Sequence, residues 1–160
     1  MTQEISKIQI NPAQEEIRIG PLGIRFLLTG EQSNGSAAAF EVSVPAPVRL
    51  MAPAHSHDHY EETIYGLEGV LTWTVNGEAF EVGPGQALCI PRGAIHRFDN
   101  LGDRDARVLC VVSPAAIGPE YFREMASELA ASAGGPPDKA KLAAIMLRHG
   151  MTPAPPNPVA

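Results

Sequence analysis

Residues 85–100 read GQALCIPRGAIHRFDN, and the fold is decided in this stretch. Pro91-Arg92-Gly93 makes a turn, since proline presets φ and glycine takes the positive φ that a reversal needs. Residues 86–90 and 96–100 flank it, each the length of one short strand. Side chains two apart share a strand face, so His96, Phe98 and Asn100 point one way and Phe98 is a candidate pocket wall. Upstream, residues 55–69 read HSHDHYEETIYGLEG. By the same rule His55 and His57 can point into one cavity. Glu62 follows at an odd offset that requires a bend or a change of strand, which the polar stretch 58–61 can supply. His96 then arrives from a distant strand across the barrel. Imidazoles with a carboxylate suit a divalent transition metal: Fe, Mn, Ni, Cu, Co or Zn.

Outward from this core the chain reads as short strands. Segments 63–67, 70–75, 78–82, 86–90, 96–100 and 107–112 are strands, separated by Gly69, Asn76-Gly77, Gly83-Pro84-Gly85, the turn at 91–93 and Gly102-Asp103. Asn76-Gly77 between WTV and EAF predicts a two-residue hairpin, in which both turn positions take positive φ. Turns every eight to twelve residues indicate an all-β sandwich or barrel. Before it, 17–26 splits around Gly20-Pro21 into two edge strands, and the turn cluster 30–36 lets 22–29 pair with 38–44. After Pro114 the period changes. Pro119 opens a helix over 119–133 with Phe122, Met125 and Leu129 on one face, and a second spans roughly 138–149 up to Gly150. The expected layout is an N-terminal arm (1–16), a barrel (17–116), a helical appendage (117–150) and a proline-rich extended tail (151–160).

Composition limits the partners. The chain has 160 residues, 44% hydrophobic and 19% charged, with a formal net charge of −6. That balance is that of a soluble globular domain with its own core. Lysine and arginine stand singly, which argues against nucleic acid or an anionic membrane as partner. No apolar run approaches the roughly 20 residues that span a bilayer. The first sixteen residues are polar and lack an apolar core, so the expected location is cytoplasmic. Cys89 and Cys110 sit in apolar stretches and read as buried small hydrophobes, with a pocket-facing thiol as the alternative. Dinucleotide and phosphate loops, a GxSxG elbow and HExxH are all missing, so those chemistries have no support here.

The chain resembles the cupin superfamily. The first cupin motif, G(X)5HxH(X)3–4E(X)6G, is met by His55, His57, Glu62 and Gly69. The second, G(X)5PxG(X)2H(X)3N, is met in full by Gly85, Pro91, Gly93, His96 and Asn100. The leading glycine of the first motif falls on Arg49, a local departure. Fifteen residues lie between Gly69 and Gly85, similar to microbial single-domain members. Over roughly 38–114 the resemblance implies a double-sheet jelly roll holding one divalent metal through His55, His57, Glu62 and His96. Glu61 is the alternative carboxylate, because only Glu62 keeps six residues before Gly69. His59 is an alternative ligand or a residue at the pocket mouth. Tyr65 and Trp73 flank the site as sheet packing or pocket lining, and His149 reads as a helix-end residue.

EETIYGLEG, the following PRGxxH strand and GPPDKAKLAAIMLRHG further resemble quercetin-dioxygenase-like bacterial monocupins. This implies an O2-dependent oxidoreductase acting on a small enolic or aromatic substrate, with Glu62 as a catalytic base. A non-oxidative metal enzyme (isomerase or decarboxylase) and a non-catalytic binding or sensing module are the alternatives. A homodimer is expected, because small jelly rolls expose sheet edges that pairing covers.

Overall fold

The computed structural model describes residues 10–12, 14–50, 53–132 and 134–155. In chain order its elements are β1 (Ile17–Ile19), β2 (Leu22–Leu28), β3 (Ala38–Val44), β4 (His55–His57), β5 (Glu61–Glu68), β6 (Leu71–Val75), β7 (Glu78–Val82), β8 (Ala87–Ile90), β9 (His96–Asp99), β10 (Ala106–Ser113), α1 (Pro119–Ala131), α2 (Lys139–Arg148) and β11 (Met151–Pro153). They form a six-stranded sheet, β1-β2-β3-β10-β5-β8, and a five-stranded sheet, β11-β4-β9-β6-β7. All strand pairs are antiparallel. This is the expected jelly roll with two short C-terminal helices.

The two-residue period of the sequence builds the core. Ala38, Phe40, Val42 and Val44 of β3 are buried, as are Ala106, Val108, Cys110 and Val112 of β10, and the residues between them are less buried. On the facing sheet Leu71 and Trp73 turn inward. Asn76-Gly77 forms the expected hairpin, with φ of 49° and 85°. Gly69 is required twice over: its φ is 63°, and a Cβ there would lie 2.4 Å from the Asp105 carbonyl oxygen.

Two expectations are corrected. β2 is no edge strand, because β1 lies outside it, pairing Ile17 with Ile24, and β3 lies on its other side. Residues 151–153 leave the expected tail and pair with β4, anchored by the buried Met151 and by Ala154 N–H donating to Ala54 O at 2.7 Å. Pro153 is tolerated because β11 is a sheet edge, where a missing N–H costs nothing. Residues 156–160 lie outside the described residues, as do 1–9 and 13 of the arm. The helices pack on the barrel. Phe122 of α1 packs edge-on against Phe26 and Phe40, at 5.7 Å and 5.2 Å between ring centroids, and so closes the barrel. Asp138 caps α2, accepting from the N–H groups of Ala140 and Lys141. Among the described residues no helix is long and apolar enough to cross a membrane.

Asn100 follows β9 with no exposed surface. Its Nδ2 donates to Val44 O at 3.0 Å and Arg104 O at 2.9 Å, and its Oδ1 accepts from Gly102 N–H at 3.1 Å. One side chain therefore fastens the β9–β10 turn to the end of β3. Asn100→Ala leaves three backbone groups short of a partner and should cost about 2–3 kcal/mol in urea unfolding, where an unchanged midpoint would contradict this role.

Candidate metal centre

The histidines meet because their strands pair. β9 lies directly beside β4, with His96 opposite His55 in the ladder. β11 flanks β4 on its other side, Met151 opposite His57 and Pro153 opposite His55. His96 thus comes from a strand distant in sequence but adjacent in space, not from across the barrel. Glu62 is the residue that crosses: after His57 the chain changes sheet, and β5 presents Glu62 from the opposite wall, between Val112 and Ile90. The turn at 91–93 also reaches back, since Gly93 N–H donates to His57 O at 2.9 Å.

Side-chain nitrogens of His55, His57 and His96 all lie within 4.8 Å of one another. His55 Nε2 is 3.1 Å from His57 Nε2. Glu62 Oε2 stands 3.4 Å from His96 Nε2 and 3.7 Å from His57 Nδ1. His96 Nδ1 lies 2.9 Å from Ala94 O, a pure acceptor, so Nδ1 carries the proton and Nε2 presents its lone pair to the cluster. Metal-bound histidines are commonly oriented in this way. His96 Nε2 and His57 Nδ1 are both buried without a hydrogen-bond partner. Lone pairs crowded around a carboxylate with nothing between them are unfavourable unless a cation joins them. The three histidines are therefore positioned to bind a metal.

Protonation states agree with that role. Burial, followed by the neighbouring His96 and His57, lowers the His55 pKa to about 3. Burial is also the main reason His57 falls to about 4. Both rings are neutral at pH 7, the state that ligates. Burial pushes Glu62 upward, but the close approach of His96 and then the other imidazoles prevails and brings it to about 2. Its carboxylate is ionised at neutral pH.

The cluster forms one wall of a cavity of about 140 Å³ whose remaining lining is chiefly apolar. Trp73 and Phe98 lie on that lining, 4.7 Å apart between centroids, and resolve the sequence reading of both toward the pocket. Tyr65 is not part of it. It is 43% exposed, because odd-numbered positions of β5 face outward while Glu62 and Ile64 face in. Glu61 is turned outward by the same parity and paired with Arg92, Nε to Oε1 at 2.7 Å. His59 lies exposed on the bend between β4 and β5, outside the cavity. His149 caps α2, with Nε2 3.0 Å from Glu124 Oε1. The cysteines divide. Cys89 is exposed rather than buried, and Cys110 lines the cavity, where burial and the charge of Glu62 push its thiol well above the ordinary value.

Sequence reasoning missed Tyr60, Tyr121 and Met125 of the lining. Tyr60 stacks on His57 at 4.4 Å between centroids, 20° from parallel. Burial, aided by the charge of Glu62, pushes its phenol well above the ordinary tyrosine value. Its place beside the HxH motif was a signal. The helix pattern that buries Met125 pointed to a core but did not say which part of it.

Comparison with known proteins agrees with this geometry. Residues 43–112 match the Cupin domain family. The chain is 32% identical over 113 residues to the tetracenomycin polyketide synthase protein TcmJ of Streptomyces glaucescens, covering 71% of this chain and 75% of that protein. This chain belongs to the cupin family. The cupin is also 33% identical over 96 residues to the polyketide synthase CurC of Streptomyces cyaneus, covering 60% of this chain and 62% of that one, so it spans about three fifths of that relative. Quercetin 2,3-dioxygenase of Bacillus subtilis is 29% identical over 107 residues, 62% of this cupin but only 31% of the enzyme. Among solved structures, a Streptomyces PAC13 variant with uridine superposes with a TM-score of 0.54 at 18% identity, over 75% of this chain and 88% of that one. That likeness is one of fold.

Two outcomes follow for this cupin. His57→Ala or His96→Ala should each abolish stoichiometric metal in elemental analysis, and retention of metal by both variants would refute the ligand set. The second concerns acid. Unfolded, His55 and His57 bind protons near 6.5, whereas folded they do so only near 3 and 4. Between those values the unfolded chain holds more protons, so stability falls as pH drops below 6.5. Glu62 adds to the loss as pH falls from about 4.5 toward 2. Thermal melts in chelator should show the midpoint falling steadily from pH 7 to pH 4, and a flat profile would mean that the imidazoles are not held neutral.

Proposed function

We propose that the protein is a metal-dependent enzyme that oxidises a small enolic or aromatic compound with O2. The carrying observation is the pairing of a polar cluster, three imidazoles and an ionised carboxylate, with a cavity otherwise lined by apolar side chains. Such a pocket accepts an apolar body whose oxygens are all gathered at one end. Held by His55, His57, His96 and Glu62, a divalent transition metal would supply Lewis acidity toward those oxygens and, where redox-active, electrons to O2.

The chain's own groups have separate tasks in this reading. His55 and His57 stay neutral at working pH, and all three imidazoles are placed to offer lone pairs. Glu62 Oε2 faces the cavity side of His57 and His96, so it can take the proton of an enolic hydroxyl and hold it there. Cys110 lines the same cavity, and burial with the charge of Glu62 keeps its thiol protonated. Trp73, Phe98 and the α1 residues Tyr121, Phe122 and Met125 exclude water from the reacting end. The likeness to a quercetin 2,3-dioxygenase supports the oxidative form.

A non-oxidative second reading is favoured by the two polyketide synthase relatives, since polyketide β-dicarbonyl units enolise readily. Under it Glu62 would move a proton and no O2 would be consumed. The two separate in an oxygen electrode. Protein loaded in turn with Fe(II), Mn, Ni or Cu should take up O2 with a small 1,3-diketone, and uptake should fall at least a hundredfold in Glu62→Gln. Substrate turnover under argon at the same rate as in air would replace the oxidative reading with the second one.

A further inference from the structure

Four buried polar atoms lining the cavity have no hydrogen-bond partner among the described residues: His57 Nδ1, His96 Nε2, Tyr60 Oη and Trp73 Nε1. The two histidine nitrogens belong to the metal centre. The phenol and the indole do not, because neither ligates a metal under these conditions, and both are donors. Buried donors are almost always satisfied, and a native protein that leaves two open in one cavity has a partner for them outside its own chain. Tyr60 is wholly buried and its ring is clamped flat on His57, so the phenol cannot swing out to water. Trp73 is 1% exposed and is held against Phe98.

Size narrows what that partner can be. The cavity holds about 140 Å³, close to the roughly 150 Å³ that accepts one benzene ring in an apolar protein cavity. A fused or multi-ring flavonol exceeds it. Beside the ionised Glu62 and the imidazole lone pairs that would hold the metal, the walls offer the two open donors. A ligand that fits is therefore a single ring with several acceptor oxygens and little need to donate.

We propose that Tyr60 Oη, with Trp73 Nε1, donates hydrogen bonds to the oxygens of a single-ring enolic or catechol-like ligand seated against the histidine cluster. The inference rests on the metal-dependent reading above and adds to it the substrate class and the residues that select it. Tyr60 acts as a neutral donor, with no proton leaving it. Its hydroxyl orients the ring so that the chelating oxygens meet the cluster, and a ring lacking an acceptor at that edge is bound less well.

The test uses the full-length protein loaded with a divalent metal and 4-nitrocatechol as the probe, its binding followed by the shift in its visible absorption. Tyr60→Phe keeps the ring on His57 and removes only the hydroxyl. The variant should retain full metal content in elemental analysis and melt no lower than the parent, because the lost group had no partner in the fold. Its Kd for 4-nitrocatechol should rise about tenfold, the effect of one neutral hydrogen bond. Equal Kd values for parent and variant would overturn the assignment of Tyr60 while leaving the metal-dependent reading intact. A lowered melting temperature with metal retained would also overturn it, by showing that the hydroxyl serves the fold. If the metal-loaded parent itself fails to bind 4-nitrocatechol, both the single-ring class and the enolic-substrate reading fall together.

Discussion

The register between β4 and β9, which sets His55 opposite His96, is the constraint on which the centre depends. Directly opposed residues in an antiparallel ladder bring their side chains to the same face a few ångströms apart. A slip of one residue would send His55 and His57 to the outer surface and leave His96 alone. Yet β4 is only three residues long, and the ladder supplies one residue pair to β9. The register must therefore be enforced from outside the pair. Gly93 N–H does so by bonding His57 O from the turn that begins the β9 segment, and β11 does so from the free edge of β4. Thr152 Oγ1 adds a 2.7 Å bond to Asp58 Oδ2 just past the histidine strand. Each of these ties a residue of the HxH segment to a distant part of the chain.

This dependence explains which features were legible in the sequence and which were not. The strands from 61 to 113 were readable because alternation, Asn76-Gly77 and the glycines at 69, 85 and 93 are local signals with direct steric causes. The same locality made His55 and His57 one face. What alternation cannot encode is which strands become neighbours. Two strands nearly forty residues apart were read as facing one another across the barrel, whereas they lie side by side and Glu62 makes the crossing. β11 was hidden for a different reason. Its three residues carry a proline, and only the burial of Met151 against β4 makes them a strand. Tertiary pairing outweighed composition there.

Parity accounts for the errors and successes around the pocket. Tyr65 and Glu61 are both odd positions of β5 and face away from the cavity, while Glu62 lines it and Ile64 faces the core. Had the strand been started from Glu62 as an inward residue, Tyr65 would have been placed outside from the sequence alone. Cys110 follows the same rule on β10, and its contact with Glu62 comes from sheet neighbours, since Val112 is the residue opposite Glu62 and Cys110 lies two positions away on the same face. Tyr60 obeys no strand rule, because it sits in the bend where the chain changes sheets. Residues in such bends have side-chain directions set by the crossover itself, which explains why a wholly buried aromatic beside the histidines gave no periodic signal.

The energetic character of the cavity is a consequence of using both sheets for one site. Glu62 and the histidines come from opposite walls, so the space between them cannot be filled by core side chains without separating ligand from ligand. Phe40, Val108 and Val112 stop short of it, and α1 seals the end with Phe122 and Met125 instead of filling the middle. An unfilled apolar core and unpartnered polar atoms both lower stability. The barrel offsets this with a continuous apolar lining on the other strands and with the fully bonded Asn100 at the β9–β10 turn. Stability is thus concentrated where the motif's last asparagine sits, just past β9, and given up four residues earlier, where His96 opens that strand and faces the cavity. A segment that carries both its tightest hydrogen-bonded residue and its least satisfied one has been shaped by two demands, and only the demand for a bound partner explains the second.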